Sequence, residues 1–325
     1  MKFAAARFSF ALGVLMSVAD HPSPAQNIAT FSIVARDSVS GELGVAVASR
    51  FFAVGTVVPW AKADIGAVAT QAFANTSFGW RGLELLEKGG SPEDIVKSLL
   101  SNDTDPERRQ VGIVAADGSS ATYSGKECLP WAGGRHGRNY AVQGNILAGE
   151  AVVAGMERAF LHTNGTLADR LYAALVAGEA NGGDARGKQS AALIVVKKGA
   201  GYGGFSDRAI DIRVDDHPEP FEELGRLLAY AQMNYAWNDA WTLFTQNKGS
   251  EALPKMEHAA RLAPGNPEVH YDLGVIRLAA GIPDKAIDAL EKALKLNPKL
   301  KTQASGDNDL RALRSDARFQ KLIGR

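Results

Sequence analysis

The sequence predicts an α+β protein in two parts: a region of β-sheets with helices packed on their outer faces, then an all-helical region. Two patterns predict this. Up to residue 214, strand-like runs and pairs of helix-like runs come in groups rather than in strict alternation. Beyond a proline-containing linker, "DDHPEPFEELGRLL", only helical patterns follow, and they repeat every 34 residues. A chain of 325 residues, 46% of them apolar, is long enough for about two such domains.

The charge and cysteine content exclude several classes of function. Lys plus Arg equals Asp plus Glu at 36 each, so no net field favours nucleic acid or an anionic membrane surface. The single cysteine, Cys128, cannot form an intrachain disulfide. The six histidines are scattered without metal-ligand spacing, so we expect neither a metal nor another cofactor.

The first 25 residues have the pattern of a signal peptide. Lys2 and Arg7 form a basic start, "FSFALGVLMSVA" is an apolar run, and "SPA" supplies small residues for cleavage. The run is short for a transmembrane helix, which needs about 20 residues, although an uncleaved anchor is the alternative. We therefore expect residues 1–25 to direct export, with the mature protein periplasmic or secreted and without a stable membrane span.

Strand patterns open the region after residue 29. "TFSIVARD" (30–37) and "ELGVAVASRFF" (42–52) favour β-structure, and "SVSG" between them predicts a hairpin. "DIGAVATQAFA" (64–74) predicts a third strand.

Helices and strands then alternate in groups. "GWRGLELLEKG" (79–89) and "SPEDIVKSLLS" (91–101) predict helices, the second with Ser91 as its N-cap. Strands are predicted within 109–125 around a "DGS" turn. Two more helices are predicted over 148–163 and 166–180, and two closing strands over 189–199 and 208–216.

The helical part contains an internal repeat. Each position in the first copy below is followed, 34 residues later, by its counterpart in the second copy. The pairs are Ala252 with Ala286, Met256 with Leu290, Ala259 with Ala293, and Pro264 with Pro298. Small residues where two helices touch and a proline ending the second helix resemble the tetratricopeptide repeat. We predict such a domain over 233–325, binding a partner protein or supporting self-association.

A threonine at the head of the first strand raises the question of chemistry. The hydroxyl of an internal threonine is a poor nucleophile, but an N-terminal threonine carries its own base, the α-amine. That amine has an ordinary pKa near 7.7–8.0, so part of it is unprotonated at neutral pH. Such a site also needs a nearby cation and donors for an oxyanion.

Several segments together resemble one family. "ATFSIVARD", "PWAKADIGAVATQAFANTSFG", "RQVGIVAADG", "QGNILAG", "GGDARGKQSAALIVV" and "YGGFSDRAIDIRVDDHPEP" are similar to the DUF1028 family, an uncharacterised branch of the N-terminal nucleophile (Ntn) hydrolase superfamily. The resemblance covers about residues 29–228 and implies a four-layer αββα sandwich over 30–228. It also implies that Thr30 is the nucleophile. It implies no particular substrate.

The resemblance carries further residues into the predicted site. Ser49 and Arg50 fall in the predicted second strand, where Arg50 would lower the amine pKa, hold a substrate carboxylate, or simply be a solvated strand end. Asn75 and Asn145 are candidate oxyanion donors, or else turn-forming asparagines. The loop "GGDARGKQS" would bind substrate through three charged residues or be a plain solvated connection. These residues are Asp184, Arg186 and Lys188.

The catalytic role of Thr30 depends on one peptide bond. Signal-peptide cleavage after Ala25 would leave "QNIA" in front of Thr30, whereas cleavage after Ala29, or self-cleavage there, would free its amine. Two functions follow. The first is an exported amidohydrolase or peptidase that acts on an amide bond in a small molecule or peptide through an acyl-Thr30 intermediate. The second is a non-catalytic binding protein in which the sandwich is a scaffold and the repeats bind a partner.

Overall fold

A computed structural model of the protein describes residues 30–324, and within this range the chain forms ten β-strands and ten α-helices. The predicted signal segment, residues 1–25, lies outside the described residues. Two antiparallel sheets stack face to face, and helices cover the outer face of each sheet. The predicted class, a four-layer αββα sandwich followed by an all-α region, is confirmed.

The elements have the following bounds. The strands are β1 (Thr30–Arg36), β2 (Leu43–Ser49), β3 (Pro59–Lys62), β4 (Gly66–Ala72), β5 (Arg109–Ala115), β6 (Ser120–Ser124), β7 (Gly133–Gly137), β8 (Tyr140–Asn145), β9 (Ser190–Val196) and β10 (Arg208–Val214). The helices are α1 (Ser77–Glu87), α2 (Pro92–Ser101), α3 (Glu150–His162), α4 (Leu167–Ala180), α5 (Pro220–Thr245), α6 (Gly249–Leu262), α7 (Pro267–Ala279), α8 (Pro283–Leu296), α9 (Leu300–Gly306) and α10 (Ala317–Ile323).

The larger sheet has the strand order β10-β9-β2-β1-β8-β7, so β1 is one of its two central strands. The predicted β1–β2 hairpin is confirmed by antiparallel pairing along its whole length. Along β1, alternate residues point to opposite faces. Phe31 and Ile33 pack against the helices, whereas Ser32 and Val34 face the smaller sheet. By the same alternation, the Thr30 side chain lies on the face between the two sheets.

The smaller sheet, β3-β4-β5-β6, covers that inter-sheet face on one side and packs under α1 and α2 on the other. Helix α2 begins as predicted, because the Ser91 hydroxyl accepts a hydrogen bond from the Asp94 backbone N–H. On the far side of the molecule, α3 and α4 cover the larger sheet with buried side chains such as Phe160 and Leu171.

Three strands were not expected from the sequence patterns: β3 and the β7–β8 hairpin. β7, "GGRHG", has no apolar alternation at all. β8, "YAVQGN", is fully buried, yet it carries a glutamine and an asparagine that interrupt its apolar pattern. Pairing with the neighbouring β1 stabilises β8 and hides these polar groups between the sheets.

Helix α5 joins the two parts of the chain. Its 26 residues begin at Pro220, so the predicted linker is shorter than expected. Phe221 and Leu228 of its first half pack in the core of the sandwich. Met233 and Ala240 of its second half pack against the following helices. The predicted domain limits, 30–228 and 233–325, thus meet inside one continuous helix, and the boundary itself stays a prediction.

The helices after α5 stack in antiparallel pairs. The aligned alanine, methionine and leucine positions of the 34-residue repeat are all fully buried. Gly274 of α7 lies where a Cβ atom would come within 2.7 Å of Leu290, so a glycine allows α7 and α8 to approach closely. In the same stack the Trp237 indole N–H donates to Asp272 Oδ2 at 2.8 Å, and burial raises the pKa of Asp272 to about 6. In residues 30–324, no helix combines the length and apolar character needed to cross a bilayer.

Candidate active site

The first strand of the sandwich starts with a threonine at one end of the larger sheet. Thr30 pairs with Asn145 of β8. Its Oγ1 hydroxyl donates a hydrogen bond of 3.3 Å to Ser49 Oγ, at the end of β2. Thr30, Ser49 and Asn145 are each no more than 2% exposed. The structure therefore brings three of the predicted site residues together.

The loop that contains Asp184 lies across the end of β1. Beyond the ends of β2 and β8, the chain segments that contain Arg50 and Leu147 both contact Asp184. Asp184 pairs with Leu147 on one side, and its Oδ2 accepts the Arg50 backbone N–H at 2.9 Å on the other. Asp184 thus links the segments that follow β2 and β8. The Asp184 side chain is 1% exposed, and its carboxylate forms an ion pair with Arg186 at 3.0 Å.

An open groove of about 610 Å³ lies over this end of the sheet, and we call it the β1 groove. It is lined by Arg50, Phe51, Phe52, Leu129, Ile146, Arg186 and Gln189. Arg50 directly follows Ser49 and Ile146 directly follows Asn145, so the groove lies at the end of the sheet where Thr30 is, while Thr30 itself is buried and does not line it. A small pocket of about 60 Å³ shares Leu129 and Ile146 with the groove and has Asn145 in its wall.

A hydrogen-bond network of buried side chains connects the two sheets behind Thr30. The Gln71 amide N–H group donates to the Thr30 carbonyl oxygen at 3.2 Å and to Gln110 Oε1 at 2.8 Å. Gln71 Oε1 accepts from the Ser32 hydroxyl at 2.6 Å, and Ser32 Oγ accepts from Gln143 Nε2 at 2.6 Å. The five residues are all fully buried, so these bonds replace water as partners.

Gln110 connects this network to Asn145. Its Oε1 accepts from Asn145 Nδ2 at 3.0 Å as well as from Gln71. Its Nε2 donates to Ser124 Oγ and to the Gly144 carbonyl, each at 2.7 Å. Gln110 Nε2 donates to a backbone carbonyl and Gln110 Oε1 only accepts, so the orientation of the Gln110 amide is defined. The Asn145 atom that bonds to Gln110 Oε1 must therefore be the donor, Nδ2.

These glutamines were not among the predicted site residues. Gln71, Gln110 and Gln143 each stand within fully buried, mainly apolar strands, "GAVATQA", "RQVGIVA" and "YAVQGN". A glutamine that interrupts a buried strand is the signal that would have found them, because a buried amide requires hydrogen-bond partners. The contacts among these glutamines depend on how the two sheets are stacked, and the sequence pattern does not specify that stacking.

Two predicted residues lie outside this cluster. Asn75 lies two residues before α1; its Oδ1 accepts from the Ser77 backbone N–H at 3.1 Å and its Nδ2 donates to Asp103 at 2.7 Å. These bonds give Asn75 a structural place at the start of the helix. Lys188 forms an ion pair with Glu219, and the hydrogen bond between them raises the pKa of Lys188.

Cys128, the other candidate nucleophile, lies in an environment that disfavours its reactive thiolate form. The Cys128 Sγ contacts the Arg109 carbonyl oxygen at 3.4 Å, and burial raises the pKa of the Cys128 thiol. A raised pKa keeps the thiol protonated and unreactive at neutral pH. Across the part of the chain that the structure describes, no group of three or more His, Cys, Asp or Glu side chains is arranged to hold a metal ion.

The chain is similar to proteins of known sequence family and structure. No curated protein matches it. Among solved structures, it is similar to the crystal structure of a DUF1028 protein from Silicibacter pomeroyi, at 30% identity and a TM-score of 0.57. The match covers 63% of this chain and 89% of that one. A tetratricopeptide-repeat model matches residues 243–305, which agrees with the 34-residue period. The model of DUF1028, a family of unknown function, matches residues 30–224, and the chain belongs to this family.

Proposed function

We propose that this protein is an exported Ntn-type hydrolase that cleaves an amide bond with Thr30 as its nucleophile. The observation that carries the proposal is the position of Thr30. It heads a central strand of an αββα sandwich, with its hydroxyl bonded to Ser49 and the β1 groove beside it. The assignment to the Ntn superfamily rests on the sequence resemblance, and export rests on the pattern of residues 1–25.

Breaking the Ala29–Thr30 bond supplies the catalytic base. The freed α-amine takes the proton from Thr30 Oγ1, and the oxygen attacks the substrate carbonyl carbon. The C–N bond then breaks, the leaving amine takes that proton, and an acyl-Thr30 ester forms. Water, deprotonated by the same amine, attacks the ester and releases the carboxylic acid. Each cycle consumes one water and restores Thr30.

Asn145 is the best-placed donor for the oxyanion in this proposal. An amide nitrogen carries two N–H bonds, and one Nδ2 N–H of Asn145 is directed to Gln110. The other remains for an oxygen in the small pocket that Asn145 lines. Donors held in place before the reaction stabilise the transition state most, and Gln110 holds this one. Asn75, bonded to Asp103 and Ser77, is a less suitable donor.

Covalent labelling tests the nucleophile without knowledge of the substrate. A β-lactone probe should acylate the mature protein at Thr30 and should not label Thr30→Ala. Thr30→Ser should retain part of the labelling, since the alcohol remains and only the methyl group is lost. Thr163→Ala, a change of the same type in the turn after α3, is the control and should label like the wild type. Labelling that persists in Thr30→Ala, or that maps to Cys128, would reject the mechanism.

A binding protein is the second candidate, and one observation favours it. Thr30 is completely buried in the described chain, so its hydroxyl reaches no solvent unless processing changes this end of the sheet. The tetratricopeptide-like region suggests interaction with a protein. Under this second function, no variant is labelled, and a partner or a second copy of the chain binds equally to wild type and Thr30→Ala.

A further inference from the structure

The β1 groove carries a positive charge that its surroundings do not neutralise. Arg186 is paired with Asp184 at 3.0 Å, and Lys188 nearby is paired with Glu219. Arg50 differs from both. Within residues 30–324, no carboxylate lies at ion-pair distance from its guanidinium, which donates instead to the Arg186 carbonyl oxygen at 2.7 Å. That single bond anchors the Arg50 guanidinium by one nitrogen and leaves its other N–H groups for a ligand.

Apolar surface flanks this cation. Phe52 is 63% exposed and Leu129 is 46% exposed, and both line the β1 groove with Phe51 and Ile146. Exposed side chains of this size beside one another mark a binding surface more often than isolated ones do. A groove with a few placed polar groups on an apolar wall is the usual form of a small-molecule site.

The position of Arg50 also decides between its two expected roles. Its guanidinium is exposed at the rim, whereas Thr30 is fully buried. Solvent screens an exposed charge, so Arg50 would have little effect on the pKa of an amine at Thr30. A guanidinium suits a carboxylate because its planar N–H groups match the two oxygens.

Resting on the proposed function, we propose that Arg50 determines specificity by binding a carboxylate on the substrate, and that the apolar wall binds a hydrophobic group next to it. The substrate class is an amide of one negative charge with an apolar body. The carboxylate lies either on the acyl side or on the amine side of the bond that is cleaved.

Binding to a nucleophile-free variant tests this separately from catalysis. Full-length Thr30→Ala and mature wild-type protein are titrated by calorimetry with N-acetylphenylalanine, whose carboxylate is on the amine side, and with glutaric acid monoanilide, whose carboxylate is on the acyl side. Each acid is compared with its own carboxamide. At least one acid should bind saturably, and its carboxamide at least ten-fold more weakly.

Arg50→Gln should weaken binding of that acid at least ten-fold, and Arg50→Lys should retain part of it. Arg261→Gln, which removes an exposed arginine of α6, is the matched control and should change nothing. Three results would each overturn the proposal. Each acid and its carboxamide could bind equally, neither acid could bind, or Arg50→Gln could bind the acid as tightly as the wild type. Acid binding that depends on Arg50 in a protein that is never labelled at Thr30 would uphold the carboxylate site and reject the hydrolase.

Discussion

Replacement of Gln110 by leucine removes the centre of the buried network and puts an apolar side chain, one atom shorter, in its place. Gln110 Oε1 accepts from Gln71 and from Asn145, so Gln110→Leu leaves two buried N–H groups without that partner. An unsatisfied buried donor costs about 1–3 kcal/mol. Two such donors predict that the free energy of unfolding falls by about 2–6 kcal/mol. The loss is smaller to the extent that the Gln71 amide strengthens its existing bond to the Thr30 carbonyl.

Urea unfolding followed by circular dichroism measures this loss. Gln303→Leu is the matched control, because Gln303 is exposed on α9. It should change stability by no more than about 0.5 kcal/mol. In the folded Gln110→Leu protein, labelling of Thr30 should also be slower, since the Asn145 amide is no longer held. A Gln110→Leu protein as stable as the control would refute the network as described.

Three further predictions concern the helical region and its connection to the sandwich. Asp272→Asn should stabilise the protein above pH 6 but not below pH 4. In the folded wild type, burial raises the pKa of Asp272 to about 6 from its ordinary 3.8. Below about pH 4 the carboxyl is protonated in both states, and the wild type loses stability as the pH rises through 6. Urea unfolding across that pH range will measure this. Gly274→Ala should lower the stability of the helical region by about 1–3 kcal/mol, because the new Cβ meets Leu290, and Gly306→Ala, with open space around it, should not. Deletion of 233–325 should leave a folded sandwich with cooperative thermal unfolding. The α5 side chains buried in its core, Phe221, Leu224 and Leu228, are kept, although the hydrogen bond from the Tyr235 hydroxyl to Glu42 is lost. An insoluble or molten fragment would mean that the two parts share a core.

The parts of the fold that the sequence predicts are those with local patterns. The β1–β2 hairpin follows from two β-favouring runs and a short turn, and the helical repeat follows from buried positions 34 residues apart. The β7–β8 hairpin was missed because its polar residues are satisfied by other strands rather than by solvent. Asn145 was selected as a site residue, yet its partner Gln110 was not. Their contact is set by the stacking of two sheets, and no sequence spacing specifies it.

The boundary between the two parts of the chain shows a similar limit. The proline-containing stretch after Val214 predicts a linker, and prolines do favour breaks between elements. Pro220 instead occupies the first turn of α5, a position where a helix tolerates proline because the missing N–H would have no partner there. The side chains that bury the first half of α5 come from the sandwich, so only the folded structure identifies it as helix.

The N-terminal residue of the mature protein tests the central claim most directly. Catalysis by Thr30 requires a free α-amine, so the protein purified from the exported fraction should begin at Thr30. N-terminal sequencing and intact mass will read this without a substrate. A mature protein that begins uniformly at Gln26 would keep the amine in a peptide bond and contradict the proposed mechanism.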